Sequence, residues 1–325
     1  MKVGIIGTGA VGSACAFAVV LRGAAREVVL VDRTRERAKA VATDIRYGAP
    51  LSPLVDIRDG DYQDLAGAAL VMITAGVNEK TGGATDRGDA AGRLKLLAAN
   101  RAIYQQIVPR IVEAAPDAVI FAVTDPPDPL ADIARELARH DRVLSTGTYL
   151  DSLRFRVHLA ARLAVSPASV DTMVLGEHGT SQVYLWSSAQ VGGARVLDAL
   201  AQRDQPIAEI RRSIERDVRY ANISIIEGND ASQYGIGMVS ARIAEIVLRD
   251  EHAVIPIGAY NPRYGVTLSL PAVVGRQGAL RILEPALSAD ESEALARSAD
   301  ALRATLERSG NAAARQPSSS NAGSP

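Results

Sequence analysis

The sequence predicts an α/β protein: a Rossmann-type doubly wound parallel sheet followed by an α+β domain. Three observations carry this. Apolar stretches of strand length alternate with longer helix-like stretches through the first half of the 325 residues. The first strand runs into a glycine-rich turn and then a helix. The alternation changes after Leu150, where short strands flank turns and long helices dominate. The expected division is 1–148 for the dinucleotide-binding part, 149–308 for a catalytic or substrate part, and a disordered tail at 309–325.

Taken in order, Lys2–Ile6 is a short apolar strand that enters Gly7-Thr-Gly9-Ala-Val-Gly12. Ser13–Leu21 continues as an apolar helix, and Glu27–Val31 is a second strand ending on Asp32. Strand, turn, helix and strand form the context in which this glycine spacing binds a dinucleotide. Gly7 permits the turn, Gly9 lets backbone approach a pyrophosphate, and Gly12 permits close packing of helix on strand. Asp32 stands about 20 residues further on, where a carboxylate accepts from a ribose 2′-hydroxyl. It would repel a 2′-phosphate, so NAD is the expected cofactor rather than NADP. Arg37–Tyr47, Leu94–Ala115 and Pro129–Arg139 read as helices. Ala69–Thr74, Ala118–Val123 and Arg142–Ser145 read as strands. Ligands of such a sheet gather at the carboxyl ends of its strands. Thr74-Ala-Gly76-Val-Asn78 and Thr124-Asp-Pro-Pro-Asp128 are polar signals at two such ends. The polar, small-residue stretch from Gly76 to Arg93 reads as a closing loop beside a site.

In the second half, Leu153–Leu163 reads as a helix, and Val170–Leu175 and Val183–Val191 as strands around a turn. One long helix is expected over Gln205–Ile226 and another over Gly235–Leu248. Ala253–Tyr260 and Val266–Val274 form a hairpin pattern, and Ala289–Arg308 a terminal helix. The rest lacks buriable residues and reads as disordered.

Bulk properties exclude several classes. A hydrophobic content of 47% with 22% charged residues suits a globular enzyme. A net charge of -1 leaves no electrostatic footprint for nucleic acid or an anionic membrane. No segment approaches the ~20 uninterrupted apolar residues of a membrane span. Cys15 is the single cysteine, so there is no disulfide framework, and a cytoplasmic location is expected. The four histidines lack metal-ligand spacing.

The chemistry points to Val174–Ser181 and Gly147–Arg156, VLGEHGTS and GTYLDSLRFR. They place His178, Asp151 and Arg154 in one half of the chain. A histidine serves as general acid or base near neutral pH. A guanidinium fork matches a carboxylate. Together they fit proton transfer at an alcohol or ketone carbon beside a carboxylate.

GTGAVG, the ITAG strand end, GTYLDSLRFR, LGEHGTSQV and QYGIGM together resemble the L-lactate/malate dehydrogenase family over roughly residues 1–308. The resemblance implies an NAD-dependent enzyme acting on a small 2-hydroxy or 2-keto acid, assembled as a homodimer or homotetramer. Position by position, His178 is the implied acid/base and Asp151 its orienting carboxylate. Arg154 is the implied anchor of the substrate carboxylate. Arg93 is the implied arginine that polarises the carbonyl, with Arg87 as its rival. Ser232 stands at the substrate pocket where the family usually has threonine.

The sequence departs from the family at informative places. The 76–93 loop is about eight residues longer than usual, which allows a substrate side chain bulkier than a methyl group. Ungapped, Glu79 falls at the position that separates lactate from malate enzymes, and a glutamate there repels a second carboxylate. Asp125 replaces the usual asparagine near the cofactor ribose and substrate hydroxyl; an ionised aspartate offers no donor. Arg156 matches an arginine of the fructose-bisphosphate-activated enzymes, but Asp171 replaces its histidine partner, so no such activation is expected. The lactate-type dehydrogenase reading is preferred. Malate dehydrogenase and a catalytically silent NAD-binding protein are the alternatives.

Overall fold

Among the described residues, nine strands form one sheet with helices on both faces. The structure, a computed structural model, describes residues 1–77, 90–203 and 206–314, and of 90–94 and 310–314 the backbone alone. Six strands are parallel: β1 (Lys2–Ile6), β2 (Glu27–Val31), β3 (Asp56–Asp59), β4 (Ala68–Ile73), β5 (Val119–Ala122) and β6 (Val143–Ser145), in the order β6-β5-β4-β1-β2-β3. Their interior residues are apolar on both faces, as expected where helices cover both sides of a parallel sheet. The helices are α1 (Ala10–Arg22), α2 (Arg35–Gly48), α3 (Ala90–Ala114) and α4 (Pro127–Ala138). The chain winds one way from β1 to β3 and the other way from β4 to β6. A crevice therefore opens between the carboxyl ends of β1 and β4.

The second half begins with α5 (Tyr149–Leu163), then the short strands β7 (Val170–Asp171), β8 (Val174–Leu175), β9 (Val183–Tyr184), β10 (Gln190–Val191) and β11 (Ala194–Arg195). Helices α6 (Val196–Ala201), α7 (Ile207–Arg219), α8 (Ala221–Asn229) and α9 (Tyr234–Arg249) follow. Next come β12 (Ala253–Asn261), β13 (Val266–Gly275), β14 (Gly278–Ile282) and α10 (Ala289–Ala314). A small core under α5 and α7 centres on Phe155, whose ring meets Tyr184 and Trp186 edge-on at centroid distances of 5.4 and 4.9 Å.

Several expectations change. The expected hairpin at 253–274 forms, β12 against β13, and what the sequence did not reveal is its attachment to the main sheet. β12 pairs antiparallel with β6, at Gly258 and Ser145, so β12, β13 and β14 extend the parallel sheet. β3 escapes sequence reading because only Ile57 of Asp56-Ile-Arg-Asp59 is buried, the pattern of a charged edge strand. The single helix expected over Gln205–Ile226 is two, because the backbone turns at Tyr220 (φ -106°, ψ 9°). The tail boundary expected at 309 is also corrected. α10 runs on to Ala314, with Ser309 buried and three alanines propagating the helix at little cost. Residues 315–325 lie outside the described residues. No helix among the described residues is long and apolar enough to cross a membrane.

α1, which starts at the crevice, is held against α9. Gly237 has no side chain where a Cβ would lie 2.8 Å from the Ala14 backbone. Glu245, buried on α9, accepts from Arg22 Nε (3.0 Å) and Nη2 (2.7 Å) and from Arg242 Nη1 (3.0 Å). Removing that carboxylate takes the shared partner from half-buried arginines and gathers uncompensated positive charge. Glu245→Ala is expected to lower stability by about 1–3 kcal/mol, read as a Tm several degrees lower in a thermal melt. An unchanged Tm would show that α1 and α9 are held by apolar packing alone.

Candidate active site

The crevice is built to receive a dinucleotide. Gly7 takes φ 97°, which turns the chain from β1 toward α1. A Cβ on Gly12 would strike the Gly7 carbonyl oxygen, so only glycine lets α1 lie this close. A Cβ on Gly9 would meet nothing within 4 Å, which leaves open space beside the first turn of α1. That turn carries no acidic residue and no side-chain cap. Its N–H groups and positive dipole end are therefore available to a pyrophosphate. Asp32 Oδ2 accepts from Thr8 N (2.7 Å) and Thr8 Oγ1 (2.9 Å), and Oδ1 accepts from Thr34 N (3.0 Å). Partial burial would raise the Asp32 carboxyl, but these bonds outweigh it and hold it below the usual range. It stays ionised, as a ribose hydroxyl acceptor must. The residues present thus fit NAD.

Thr74 joins the two strands that flank the crevice. Its Oγ1 donates to Gly7 O at 2.7 Å, and its N–H to Ile6 O at 2.9 Å. Gly76 has no room for a side chain, with Thr124 and the Asn100 amide in the way. Asn100, fully buried on α3, ties the ends of β4 and β5 together: Oδ1 accepts from Val77 N (2.7 Å) and Nδ2 donates to Asp125 O (2.8 Å).

The His178 cluster lies at the other side of the sheet's carboxyl edge. Gly176 takes φ 83° and exchanges two backbone bonds of 2.9 Å with Ser269 on β13, which fixes the start of the turn. Ser298 of α10 accepts from Glu177 N at 2.9 Å. His178 Nδ1 meets Asp151 Oδ2 at 2.6 Å, and Arg154 Nη1 donates to Asp151 Oδ1 at 2.9 Å. Asp151 is 1% exposed. Burial alone would raise its carboxyl, but the His178 charge and hydrogen bond, then Arg154, hold it below the usual range. Burial likewise opposes the charged imidazole. The Asp151 charge, its hydrogen bond and a smaller pull from Asp125 win, and His178 is pushed up to about 9. With Nδ1 held by Asp151, Nε2 is the nitrogen left for a reacting oxygen.

The structure therefore brings His178, Asp151, Arg154 and Asp125 together. Asp125 is half-buried at the end of β5. Ser232 lies half-buried in the link between α8 and α9. Arg93 stands in the first turn of α3, and its side chain lies outside the described residues. Glu79 and Arg87 lie outside them altogether, as does the expected closing loop they belong to. Arg156 pairs with Asp171 at 3.6 Å, so that arginine already has an anionic neighbour. Sequence reading missed Asn100, Ser298 and Asp128. Asp128 was visible in the TDPPD strand end, but an acid in a first helical turn ordinarily reads as a dipole partner.

Residues 1–144 match the family model for the lactate/malate dehydrogenase NAD binding domain, and 148–312 that for the alpha/beta C-terminal domain. The chain is 47% identical to an L-lactate dehydrogenase of Deinococcus radiodurans, over 93% of this chain and 97% of that one. It is 44% identical to an L-lactate dehydrogenase of Thermus aquaticus, with the same coverage, 93% and 97%. Its fold superimposes on the ligand-bound minor L-lactate dehydrogenase of Enterococcus mundtii with a TM-score of 0.87. That match has 33% identity and covers 94% of this chain and 98% of the other.

The cluster sets a pH dependence. A folded-state pKa above the ordinary histidine value means that the His178–Asp151 pair stabilises the fold fully below about pH 6.5. That contribution is lost as pH rises through about 9. NMR titration of the four histidines should show one imidazole titrating near 9. Asp151→Asn should return it toward the ordinary range. A wild-type spectrum with no histidine titrating above the ordinary range would contradict the pairing.

Proposed function

The chain belongs to the lactate/malate dehydrogenase family, and we propose that it is an NAD-dependent L-2-hydroxyacid dehydrogenase of the lactate type. The observation that carries the reading is the Asp151 carboxylate shared between His178 and Arg154. The nicotinamide cofactor, when bound, accepts or supplies the hydride. The rest is work for side chains of this chain. His178, protonated, donates from Nε2 to the carbonyl oxygen of a 2-ketoacid, and in the reverse direction takes the hydroxyl proton. Asp151 fixes the tautomer and stabilises the imidazolium. Arg154 already gives Nη1 to Asp151, and its planar fork anchors the substrate carboxylate next to the acid/base. Gly7, Gly9, Gly12, Asp32, Thr74 and Gly76 hold the dinucleotide. The substrate and catalytic half is 149–308, and the protein works in the cytoplasm, consistent with its one cysteine being buried and free.

Asp125 is the unusual member of the pocket. As a carboxylate it gives the substrate oxygen no donor, and it adds to the pull on the His178 proton. A silent NAD-binding protein is disfavoured because His178, Asp151 and Arg154 keep a working geometry.

We also read the protein as a homo-oligomer. α1 and α9 pack side by side and leave Phe17 (55%), Leu21 (55%), Tyr234 (67%) and Met238 (64%) exposed. Such a cluster of large apolar side chains is the usual mark of a subunit interface. Light scattering should report a dimer or larger. Phe17→Glu with Met238→Glu should reduce it to monomer, and a wild-type monomer would end this reading.

The main test is a panel of 2-ketoacids with NADH and NADPH. Apolar 2-ketoacids should give a higher kcat/KM than oxaloacetate, and NADH should be strongly preferred. A higher kcat/KM for oxaloacetate would make this a malate enzyme. No turnover of any 2-ketoacid would overturn the catalytic reading. Asp125→Asn is expected to raise kcat/KM on pyruvate by about 3- to 10-fold; an unchanged value would mean that Asp125 already works as a neutral donor.

A further inference from the structure

Asp128 is fully buried in the first turn of α4, and both of its oxygens are engaged by the active site's frame. Oδ2 accepts the main-chain N–H of His178 at 2.7 Å. Oδ1 accepts from Ser145 Oγ at 2.5 Å. Ser145 Oγ in turn accepts from Gly147 N at 3.1 Å, at the start of the segment that leads into α5 and Asp151. His178 is thus gripped twice, its ring by Asp151 and its backbone by Asp128. The two carboxylates come from the first turns of two different helices, and the Ser145 hydroxyl links one to the base of the other.

We propose that Asp128 is a positioning residue for the acid/base: its carboxylate, braced by Ser145, fixes the backbone of His178 so that the ring reaches both Asp151 and the reacting oxygen. A side chain held at one end by a single hydrogen bond still swings about its χ1 and χ2. Pinning the backbone N–H removes the remaining freedom of the turn. Ser298 holds the neighbouring Glu177 N–H, so two consecutive amides of the turn are anchored from two different elements, α4 and α10. Placing a carboxylate where water cannot reach it is costly. Burial pushes Asp128 up to about 7 despite the Ser145 and His178 bonds, so an acid is kept here at a penalty that an apolar residue would not incur. Four residues on, Asp132 shows what a purely architectural acid does here: it accepts from Thr267 N and Oγ1, both at 2.8 Å, and touches no residue of the His178 cluster.

The inference rests on the dehydrogenase reading and is tested in the full-length enzyme with NADH and the best 2-ketoacid of the panel. Asp128→Asn retains volume but offers the His178 N–H or the Ser145 hydroxyl an acceptor, not both. It is expected to lower kcat by about 10- to 100-fold, as misplacement of an acid/base does. KM should change less than about threefold, because Arg154 is untouched. NADH affinity, read by fluorescence, should stay within about twofold. The high-pH limb of ketoacid reduction, which reports His178, should move to lower pH. Among the described residues, Asp151, Asp125 and Arg154 are the other charged groups acting on His178, and all remain. Ser145→Ala, which removes the brace and leaves the Asp128 carboxyl on the His178 N–H, should give a smaller loss of kcat with the limb unmoved. Asp132→Asn is the comparison: it should lower Tm without moving the limb. If Asp128→Asn keeps kcat within about twofold and the limb in place, Asp128 is architectural and the proposal is wrong. The proposal fails equally if kcat falls only in proportion to lost NADH binding or folded protein. Absence of turnover in the wild type would instead overturn the dehydrogenase reading itself.

Discussion

A carboxylate kept ionised out of water governs the second half of this protein. Asp151 is almost inaccessible, and burial alone would protonate it. It remains an anion because His178 and Arg154 both bond to it. Removing one partner of a buried pair typically costs about 3–5 kcal/mol, so neither cation is a dispensable neighbour. The requirement runs in both directions. The anion raises the imidazole's proton affinity, and it aligns the guanidinium one helical turn away. The surrounding architecture serves that arrangement: Thr148 and Ser152 of the α5 start bond to the backbone of Val174 on β8, which leads directly to the His178 turn.

The nucleotide end follows a different logic. There the structure supplies absence of side chains rather than charge. Gly9 leaves space, Gly12 brings α1 against the turn, and Thr74 stitches β1 to β4 beneath it. Asp32 supplies a fixed negative charge, held low by three bonds from Thr8 and Thr34. Thr8 is the second residue of the fingerprint and is fully buried. It ties the glycine-rich turn directly to Asp32.

Much of this was legible in the sequence because it is local. The fingerprint, its flanking strand and helix, and the acid at the end of β2 sit within one βαβ unit. Asp151 and Arg154 share a helix face at i and i+3, so their contact follows from spacing. What was not legible depends on contacts made across the chain. Asn100 reads as an ordinary helix residue until β4 and β5 place two backbones beside it. Ser298 comes from a helix more than a hundred residues beyond the turn it supports. The hairpin of β12 and β13 was legible, but its pairing with β6 was not, because periodicity reveals a strand but not its neighbour across the chain. β3 and the break at Tyr220 failed for the opposite reason: their local patterns were overruled by position in the fold.

That shared sheet also constrains how the site works. The two halves are joined at β6 and β12, by Thr148 N–H on Ser269 Oγ (2.9 Å), by Asp132 on Thr267, and by Asp128 on the His178 backbone. Every one of these bonds is buried or partly buried. Swinging one half away from the other would strand backbone donors, take the His178 N–H from Asp128 and leave the Asp132 carboxylate without its Thr267 partners, at a cost of several kcal/mol. A hinge near residue 148 is therefore a poor route to opening the pocket. His178, Asp151 and the Gly7–Gly12 turn are thus carried on one bonded frame, and the His178–Asp151 geometry is set when the chain folds.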